Sequence, residues 1–350
     1  MNAKRLMAAL MASAMVVGVT ACGGGAKEDT SSATTTPSTD SSASSTTTTT
    51  PATGDEKYNI SVILKTTSSE YWGYVVAGAE AYMEDHPNVN VEVKGATSET
   101  AYDEQQNMIE TDMANGDIDG YVIAPLQADM VANMIAGQTK PIVAVDTNIN
   151  APEVLSFVGT GNETAGALGG AAAVEYAKSL GWTDIKCIEI AGVQGDSTNE
   201  ARMAGYKSGV EGAGGDFLED EVQYANAVAD QAVTCMEAIM QNHPEGIAII
   251  CANNDDMAMA AARAAEGNAA YEKTVFLGFD GIQSACQSIL DGELTMSVCQ
   301  EGYNMGYNSV DAVVRALQGE KLDSFIDAGA SVVDPTTAQA RMDLLKGYLA

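Results

Sequence analysis

The sequence predicts an α/β protein built from two successive parallel sheets, and three observations support this class. Short β-rich runs alternate with stretches of helical pattern along most of the chain, which is typical of repeated βαβ units. Several of these runs are continuously apolar, as strands covered on both faces should be. From about Glu56 onward nearly 300 residues remain, which is enough for two domains. We place the boundary between them near Gly159–Gly166.

The predicted elements follow one another in a regular order. Eight runs have strand character, at residues 59–66, 89–95, 120–125, 141–146, 185–192, 246–253, 273–280 and 294–300. Eight helical patterns accompany them, at residues 71–85, 99–115, 163–180, 198–213, 228–242, 254–266, 281–291 and 301–318. Because parallel strands need a crossover between them, this alternation favours parallel over antiparallel sheets.

The first residues have the pattern of an export signal. Lys4 and Arg5 precede an apolar run of about fourteen residues, which is shorter than the roughly twenty residues of a bilayer span but suits a secretory signal. The run ends in "VTAC", which resembles the lipobox of bacterial lipoproteins and implies cleavage before Cys22 and acylation of its thiol. We expect a signal peptide over 1–21 and a membrane anchor at Cys22; an ordinary signal peptide with a chance cysteine is the alternative.

Residues 22–56 are predicted to form a disordered, Ser/Thr-rich tether. The stretch from 30 to 53 contains no aromatic residue, so it cannot bury enough apolar surface to offset the entropy lost on ordering. A flexible coil of this length reaches roughly 30 Å. The tether therefore holds an extracytoplasmic body away from the membrane surface.

The charge and the metal-ligating residues exclude several classes of function. The net charge of −31 has the wrong sign for a nucleic-acid binder. Besides Cys22 there are five cysteines without a C-x-x-C pair, and the histidines are only two, His86 and His243. This set of cysteines and histidines does not suit a zinc site, a disulfide framework or a Ser-His-Asp triad. We therefore expect buried free thiols, no metal and no cofactor.

Polar side chains stand at the ends of four predicted strands. They are Asp146, the pair Asn253 and Asn254, Asp280 and Gln300. Ligands of open α/β sheets bind at the carboxyl ends of the strands, and carboxylates and carboxamides suit sugar hydroxyls because they form two hydrogen bonds in one plane. Taken singly, each of these residues also fits a turn former or a helix cap.

An aromatic pair follows the first predicted strand. In "SSEYWG", Tyr71 and Trp72 come just after residues 59–66, where aromatic faces can stack on the C–H side of a sugar ring. Packing at a helix start is the alternative role for this pair. We interpret the strand-end polar residues and this pair as one ligand-binding set.

The stretch "IICANNDDMAMAA" (249–261) combines two asparagines and two aspartates at a strand-to-helix junction. Consecutive residues at such a junction point in different directions, so the four side chains do not converge easily on one ion. We interpret Asp255 and Asp256 as cap and dipole residues of the first helical turn. Asn254 is then the expected ligand contact, with Asn253 as a weaker companion.

From about residue 58 to 334 the chain resembles the ribose-binding-protein family of periplasmic sugar-binding proteins, the substrate receptors of ABC importers. The resemblance rests on the order and spacing of several pieces, namely "GYVIAPLQADMV", "PIVAVDT", "NETAGALGG", "ARMAGY", "NNDDMAMAAARA", "VFLGFDG" and "LDGELTMSVCQ". It implies two Rossmann-like lobes with parallel sheets joined by a three-strand hinge. The N-terminal lobe takes residues 57–160 and 301–328, the C-terminal lobe takes 161–300 and 329–340, and 341–350 form a tail.

The resemblance also implies a set of ligand-binding residues. Tyr71 and Trp72 match ring-stacking aromatics, Ser69 matches a polar contact, and Arg202 matches an arginine near the cleft with either a binding or a structural role. The hydroxyl-binding positions are matched by Asp146, Asn254, Asp280 and Gln300.

Departures from the family pattern put ribose itself in doubt. Thr147 and Glu200 stand at two ligand-binding positions where ribose receptors carry arginine, Ala227 replaces an aromatic residue, and Ala124 replaces an asparagine. These changes make the expected pocket larger and more acidic. A larger sugar, a polyol, an amino sugar or a nucleoside-like ligand remains open.

The family resemblance favours a monomeric binding protein of an ABC importer over an enzyme. "GTGNETAG" (159–166) lacks the Gly-Lys-Ser/Thr of a phosphate loop, and no nucleophile–base pair stands out. The expected partners are the ligand, the ABC permease subunits and the membrane, without nucleic acid. A receptor that presents its ligand to a sensor kinase or chemoreceptor is the alternative.

Overall fold

The structure is a computed structural model and describes residues 56–349. The predicted signal peptide, the lipidation site at Cys22 and the tether up to residue 55 lie outside the described residues. The strands are β1 (Tyr58–Thr66), β2 (Val89–Ala96), β3 (Gly120–Ile123), β4 (Ile142–Val145), β5 (Val154–Gly159), β6 (Lys186–Ala191), β7 (Asp216–Phe217), β8 (Gln223–Tyr224), β9 (Ile249–Ala252), β10 (Val275–Asp280), β11 (Met296–Gln300), β12 (Phe325–Asp327) and β13 (Ala330–Val333).

The helices fill the intervals between these strands. They are α1 (Glu70–Asp85), α2 (Tyr102–Ala114), α3 (Ala128–Met134), α4 (Asn162–Ser179), α5 (Ser197–Gly212), α6 (Ala229–Asn242), α7 (Asp255–Ala265), α8 (Gln283–Asp291), α9 (Gly302–Leu317) and α10 (Ala338–Tyr348). Within residues 56–349, none of the helices combines the length and the apolarity needed to cross a membrane.

The first lobe is organised around a parallel sheet of six strands in the order β12-β5-β4-β3-β1-β2. Alternate residues of β1 face opposite sides, as the period of a strand requires. Val62 packs in the same cluster as Val75 of α1 and Val313 of α9, whereas Ile63 packs with Ile109 of α2 on the other face. Helices on both faces explain the continuously apolar strands.

The second lobe is organised around a seven-stranded sheet in the order β13-β11-β10-β9-β6-β7, with β8 also pairing with β6. All pairs are parallel except β11–β13, which is antiparallel. Tyr206 of α5 packs with Leu277 on one face of this sheet, and Met236 of α6 packs with Ile250 on the other.

The chain passes between the lobes at three places, at residues 160–161, at residue 301 and at residues 328–329. Two of these connections touch, because the Ala328 backbone N–H donates to the Gly159 carbonyl at 2.8 Å. The predicted fold class, two α/β lobes joined by three connections, is confirmed.

Helix α10 covers most of the segment predicted as a C-terminal tail, so the predicted boundary at residue 341 falls inside a helix. Arg341 of α10 is buried. Its guanidinium donates to the Gly281 carbonyl at 3.1 Å, to the Gln300 carbonyl at 2.7 Å and to the Glu301 carboxylate at 2.7 Å. The helix is therefore tied to the connection at residue 301.

Two helices of the first lobe approach each other closely through glycines. A Cβ added to Gly78 of α1 would lie 2.0 Å from the Tyr303 carbonyl oxygen, and one added to Gly306 of α9 would lie 2.0 Å from the Val75 carbonyl oxygen. Only a residue without a Cβ allows this separation. The glycines therefore fix how tightly α1 and α9 cover the sheet.

The five cysteines of the described part are all free. Cys187, Cys251, Cys286 and Cys299 are buried, as predicted, and Cys235 is half-buried. Within residues 56–349 no group of three or more His, Cys, Asp or Glu side chains is arranged to hold a metal ion.

Candidate ligand-binding cleft

A cavity of 260 Å³ lies at the carboxyl ends of strands from both sheets. Small-molecule pockets usually measure about 300–1,000 Å³, so this one suits a small ligand rather than a long oligomer. Eight of the ten predicted site residues line it: Ser69, Tyr71, Trp72, Asp146, Arg202, Asn254, Asp280 and Gln300.

The first lobe contributes an aromatic wall at the start of α1. Tyr71 and Trp72 are buried and meet edge to face, with ring centroids 5.2 Å apart. The Tyr71 hydroxyl donates to Asp146 Oδ1 at 2.8 Å, and Trp72 Nε1 donates to Glu99 Oε1 at 3.2 Å. The polar atom of each ring thus positions a carboxylate in the cavity wall.

Thr147 supports the site from behind and does not line the cavity. Its hydroxyl lies 2.9 Å from Asp146 Oδ2, to which it donates, and 2.8 Å from the hydroxyl of Thr198 in the second lobe. The predicted direct contact with ligand at Thr147 is therefore replaced by a contact between the two lobes.

The second lobe contributes a polar group built around Asp280. Gln300 Nε2 donates to Asp280 Oδ1 at 2.7 Å, and Arg202 Nη1 lies 3.7 Å from the same oxygen. Burial raises the pKa of Asp280 well above its ordinary value, although Arg202 acts in the opposite direction. The guanidinium of Arg202 also stacks 3.8 Å above the Phe279 ring and donates to the Asn253 carbonyl at 2.8 Å. Arg202 thus combines a structural role with a place in the cavity wall.

Glu200, the other predicted residue outside the lining, points toward the loop before α5. Its Oε1 accepts from the Gly195 backbone N–H at 3.2 Å. The side chain one position earlier, Asn199, lines the cavity instead.

Backbone strain is concentrated at the cavity. In the described part of the chain four non-glycine residues have positive φ: Asp146 (63°), Asn226 (50°), Ala227 (58°) and Asp280 (121°). All four line the cavity. Such conformations cost on the order of 1–3 kcal/mol each and cluster at functional sites, so their shared location independently points to this cleft.

The four residues of the Asn-Asn-Asp-Asp junction (253–256) have roles that differ in part from those predicted from the sequence. The N-cap of α7 is Asn254, whose Oδ1 accepts from the Met257 backbone N–H at 2.9 Å. Asp255 does not cap the helix; it is fully buried and accepts from the Ser297 hydroxyl at 2.6 Å and the Ile282 backbone N–H at 3.0 Å. The prediction that Asp255 and Asp256 lie in the first helical turn is confirmed, but the cap is Asn254, which precedes the helix in extended conformation.

The buried carboxyl group of Glu189 contacts the Asn-Asn-Asp-Asp junction through Asn253. Glu189 of β6 is fully buried, its Oε1 accepts from Asn253 Nδ2 at 3.3 Å, and its Oε2 has no hydrogen-bond partner among the described residues. Burial raises the pKa of Glu189 to about 8; the charge of Glu200 adds to this, while Asn253 and Arg202 oppose it.

An ion pair across the cleft was missed by the sequence analysis. Lys65 Nζ of β1 lies 2.6 Å from Asp196 Oδ2, the N-cap residue of α5, and both side chains are at most one-tenth exposed. Burial lowers the pKa of Lys65, but attraction to Asp196 and neighbouring carboxylates outweighs it and raises the pKa overall. The only indication of this ion pair in the sequence is a single lysine near the end of an apolar strand.

A third contact between the lobes involves the start of α8. Glu70 Oε1 accepts from the Gln283 backbone N–H at 2.7 Å and from the Tyr74 hydroxyl at 2.6 Å. A carboxylate at a helix N-terminus is stabilised by the helix dipole. This contact, the Lys65–Asp196 ion pair and the Thr147–Thr198 hydrogen bond show that the two lobes meet around the cavity.

Comparisons with known proteins agree with this geometry. Residues 60–321 match the model of the periplasmic binding protein domain. The ribose import binding protein of Salmonella typhimurium is 28% identical over 206 residues, covering 58% of this chain and 67% of that protein. The D-ribose/D-allose-binding protein of Pseudomonas aeruginosa is 27% identical over 279 residues, covering 76% of this chain and 84% of that protein.

A solved structure shows the same arrangement. The carbohydrate transporter solute binding protein of Agrobacterium radiobacter, in complex with D-arabinose, has a TM-score of 0.74 and 25% identity, covering 83% of this chain and 98% of that one. The protein belongs to the periplasmic binding protein family. It is a binding protein and not an enzyme, and the predicted resemblance is confirmed.

Proposed function

We propose that this protein is the extracytoplasmic substrate-binding component of an ABC importer and binds a monosaccharide-sized sugar or sugar-like ligand. The observation that carries the proposal is the cavity between the lobes, where an aromatic pair faces carboxylate and amide side chains at strand ends. Relatives named for ribose import and for ribose or allose binding support it, as does the relative solved with D-arabinose.

The ligand-contacting side chains in this proposal come from both lobes. Tyr71 and Trp72 offer ring faces, while the polar contacts are Ser69, Asp146, Arg202, Asn254, Asp280 and Gln300. Because Asn254 Oδ1 is engaged in capping α7, its amide N–H groups are the part that remains for a ligand hydroxyl.

Binding proceeds by closure of the two lobes. A ligand held by Asp146 of the first lobe and Asp280 of the second makes its full set of contacts only when the lobes meet. It therefore shifts the open–closed equilibrium by its differential affinity for the closed state. The closed form then presents surfaces of both lobes to the permease subunits.

Anchoring at Cys22 is part of the same proposal and rests on the sequence alone. The apolar run, the "VTAC" sequence and the Ser/Thr-rich stretch together favour a lipoprotein held at the cell membrane. Mass spectrometry of the membrane fraction tests this, because a Cys22→Ala variant should lose the lipid and leave the membrane.

A ligand panel with matched variants tests the binding site. Pentoses, hexoses, polyols and nucleosides are screened by thermal shift, and hits are measured by calorimetry with wild type and Asp280→Ala. We expect the variant to fold and to lose at least 100-fold in affinity, because a buried hydrogen-bonding group for the ligand is removed. Asp323→Ala, at an exposed position, is the control.

Two results would contradict the proposal. If no compound of the panel raises the melting temperature, the sugar assignment fails. If Asp280→Ala binds the hit as tightly as wild type, the site assignment fails. Loss of ligand uptake in cells that lack the protein would separate import from a purely sensing role.

A further inference from the structure

The cavity wall carries more negative than positive charge. Its cationic side chains in the described part of the chain are Lys65 and Arg202. Its carboxylates are Glu99, Asp146, Asp196, Asp256 and Asp280. This excess belongs to the wall itself and is distinct from the acidity of the whole chain.

The two cations are already engaged with two of the carboxylates. Lys65 Nζ lies 2.6 Å from Asp196 Oδ2, and Arg202 Nη1 lies 3.7 Å from Asp280 Oδ1. Because opposite charges this close attract one another strongly in a low-dielectric site, both cations are already engaged within the wall.

The remaining three carboxylates form no direct ion pair in the wall, although the charge of Lys65 also attracts Glu99 and Asp146. Asp146 accepts from the hydroxyls of Tyr71 and Thr147, and Glu99 accepts from the indole of Trp72, so their donors are neutral. Asp256 forms neither a side-chain hydrogen bond nor an ion pair with the described residues. Neutral donors stabilise a carboxylate but leave its charge in place.

Partial burial of Glu99 and Asp256 makes their charge costly. It raises the pKa of Glu99, although Lys65 and the Trp72 hydrogen bond act against it. It also raises the pKa of Asp256; the charge of Glu70 adds to this, and the charge of Arg263 opposes it. Removing an ion from water without a counter-charge is strongly unfavourable. A ligand that brings a positive charge into the closed cleft removes this penalty.

The aromatic wall suits the same chemistry. Two of the three uncompensated carboxylates are held by the rings themselves, Asp146 by Tyr71 and Glu99 by Trp72. Tyr and Trp rings attract an ammonium group placed over their faces, most strongly where water is excluded. The two rings and the carboxylates that they position thus line the same cavity.

We propose that the ligand carries a protonated amine, and that it is an amino sugar or an amino polyol recognised by Glu99, Asp146 and Asp256. This inference rests on the proposed function and narrows its ligand class. The hydroxyls bind Asp280, Gln300 and Asn254, while the ammonium group lies between Glu99 and Asp146 of the first lobe and Asp256 of the second.

Matched pairs of compounds test the proposal. Calorimetry compares D-glucosamine with D-glucose, D-galactosamine with D-galactose, D-mannosamine with D-mannose, and an aminodeoxyinositol with the parent inositol. N-acetyl-D-glucosamine serves as the uncharged derivative. We expect the amine to bind at least 10-fold more tightly than its neutral parent in at least one pair, and N-acetylation to abolish the gain.

The outcomes separate this inference from the proposed function. If neutral sugars bind as tightly as or more tightly than their amines in every pair that shows binding, the amine assignment is wrong and the sugar-binding function stands. If neither set binds, both fail.

Isosteric variants test which carboxylates recognise the amine. Glu99→Gln and Asp256→Asn should each reduce the preference for the amine over its neutral parent by about 10-fold, while affinity for the neutral parent changes less. Asp323→Asn, an exposed carboxylate outside the cavity, should leave the ratio unchanged. If the ratio is unchanged in both cavity variants, their assignment as the recognition site is overturned.

Discussion

Glu189 shows how one buried residue makes the stability of the second lobe depend on pH. Its carboxyl is fully buried below Asn253, and one of its oxygens has no hydrogen-bond partner in the described part of the chain. Burial raises its pKa from 4.5 to about 8. The folded protein therefore holds this proton more tightly than the unfolded chain does.

The sign of the effect follows from this difference. Because the folded-state pKa lies above the unfolded value, the stabilisation is complete below about pH 4.5 and is lost as the pH rises toward 8. We expect Glu189→Gln, which removes the titration, to gain stability relative to wild type by at least about 1.4 kcal/mol between pH 5 and pH 8. Urea unfolding at the two pH values measures it.

An exposed carboxylate provides the comparison for this prediction. Glu272→Gln, at an exposed position, should change stability equally little at both pH values. A Glu189→Gln variant whose stability relative to wild type is the same at pH 5 and pH 8 would show that the carboxyl does not titrate in this range.

At the scale of residues, the sequence predicts the cavity-lining side chains that stand at strand ends. It does not predict those that reach the cavity through a pairing between distant parts of the chain. Asp146, Asp280 and Gln300 line the cavity because each ends or directly follows an inner strand of its sheet. Lys65 and Asp196 are 131 positions apart and meet only because the two lobes are in contact. Local pattern carries no information about such a pair.

At the scale of elements, the contact between α1 and α9 depends on glycine. We expect Gly78→Ala to destabilise the protein by about 1–3 kcal/mol, the usual cost of overpacking, because its Cβ would lie 2.0 Å from the Tyr303 carbonyl oxygen. Thermal and urea unfolding measure this change.

Gly73 offers a matched control on the same helix. A Cβ at this position meets nothing within 4 Å, so Gly73→Ala should stabilise the protein by up to about 1 kcal/mol through helix propensity. If both substitutions stabilise the protein, the close approach of α1 and α9 does not limit the size of the residue at position 78.

The sequence predicts the longer elements better than the short ones. All eight predicted strands and all eight predicted helices correspond to observed elements, with ends that differ by up to three residues. The strands β7, β8, β12 and β13 were missed because two to four residues are too few to show a period. Their pairing depends on neighbours that are distant in the chain. The inner strand β5 and the helices α3 and α10 were missed as well.

At the scale of the whole molecule, the Lys65–Asp196 pair joins the lobes in the cavity wall. Removing one partner leaves the other charge buried and uncompensated, which is strongly destabilising. We therefore expect Lys65→Ala to shift the protein toward the open form and to weaken ligand binding at least 10-fold. Small-angle scattering with saturating ligand and calorimetry measure the two effects.

A double variant separates closure from direct contact with the ligand. If the pair acts by holding the lobes together, Lys65→Ala combined with Asp196→Asn should bind more tightly than Lys65→Ala alone, because no unpaired charge remains and asparagine still caps α5. A double variant that binds no better than the single one would assign Lys65 to the ligand instead.

The three connections between the lobes have a consequence for biosynthesis. Helix α9 and β12 complete the first lobe, and β13 and α10 complete the second, so neither sheet is fully covered or paired until residues beyond 300 have been made. We expect the nascent chain to keep apolar surface exposed for most of its synthesis and to depend on holding chaperones. We infer that this interlaced topology delays folding, which suits a chain that is exported before it folds.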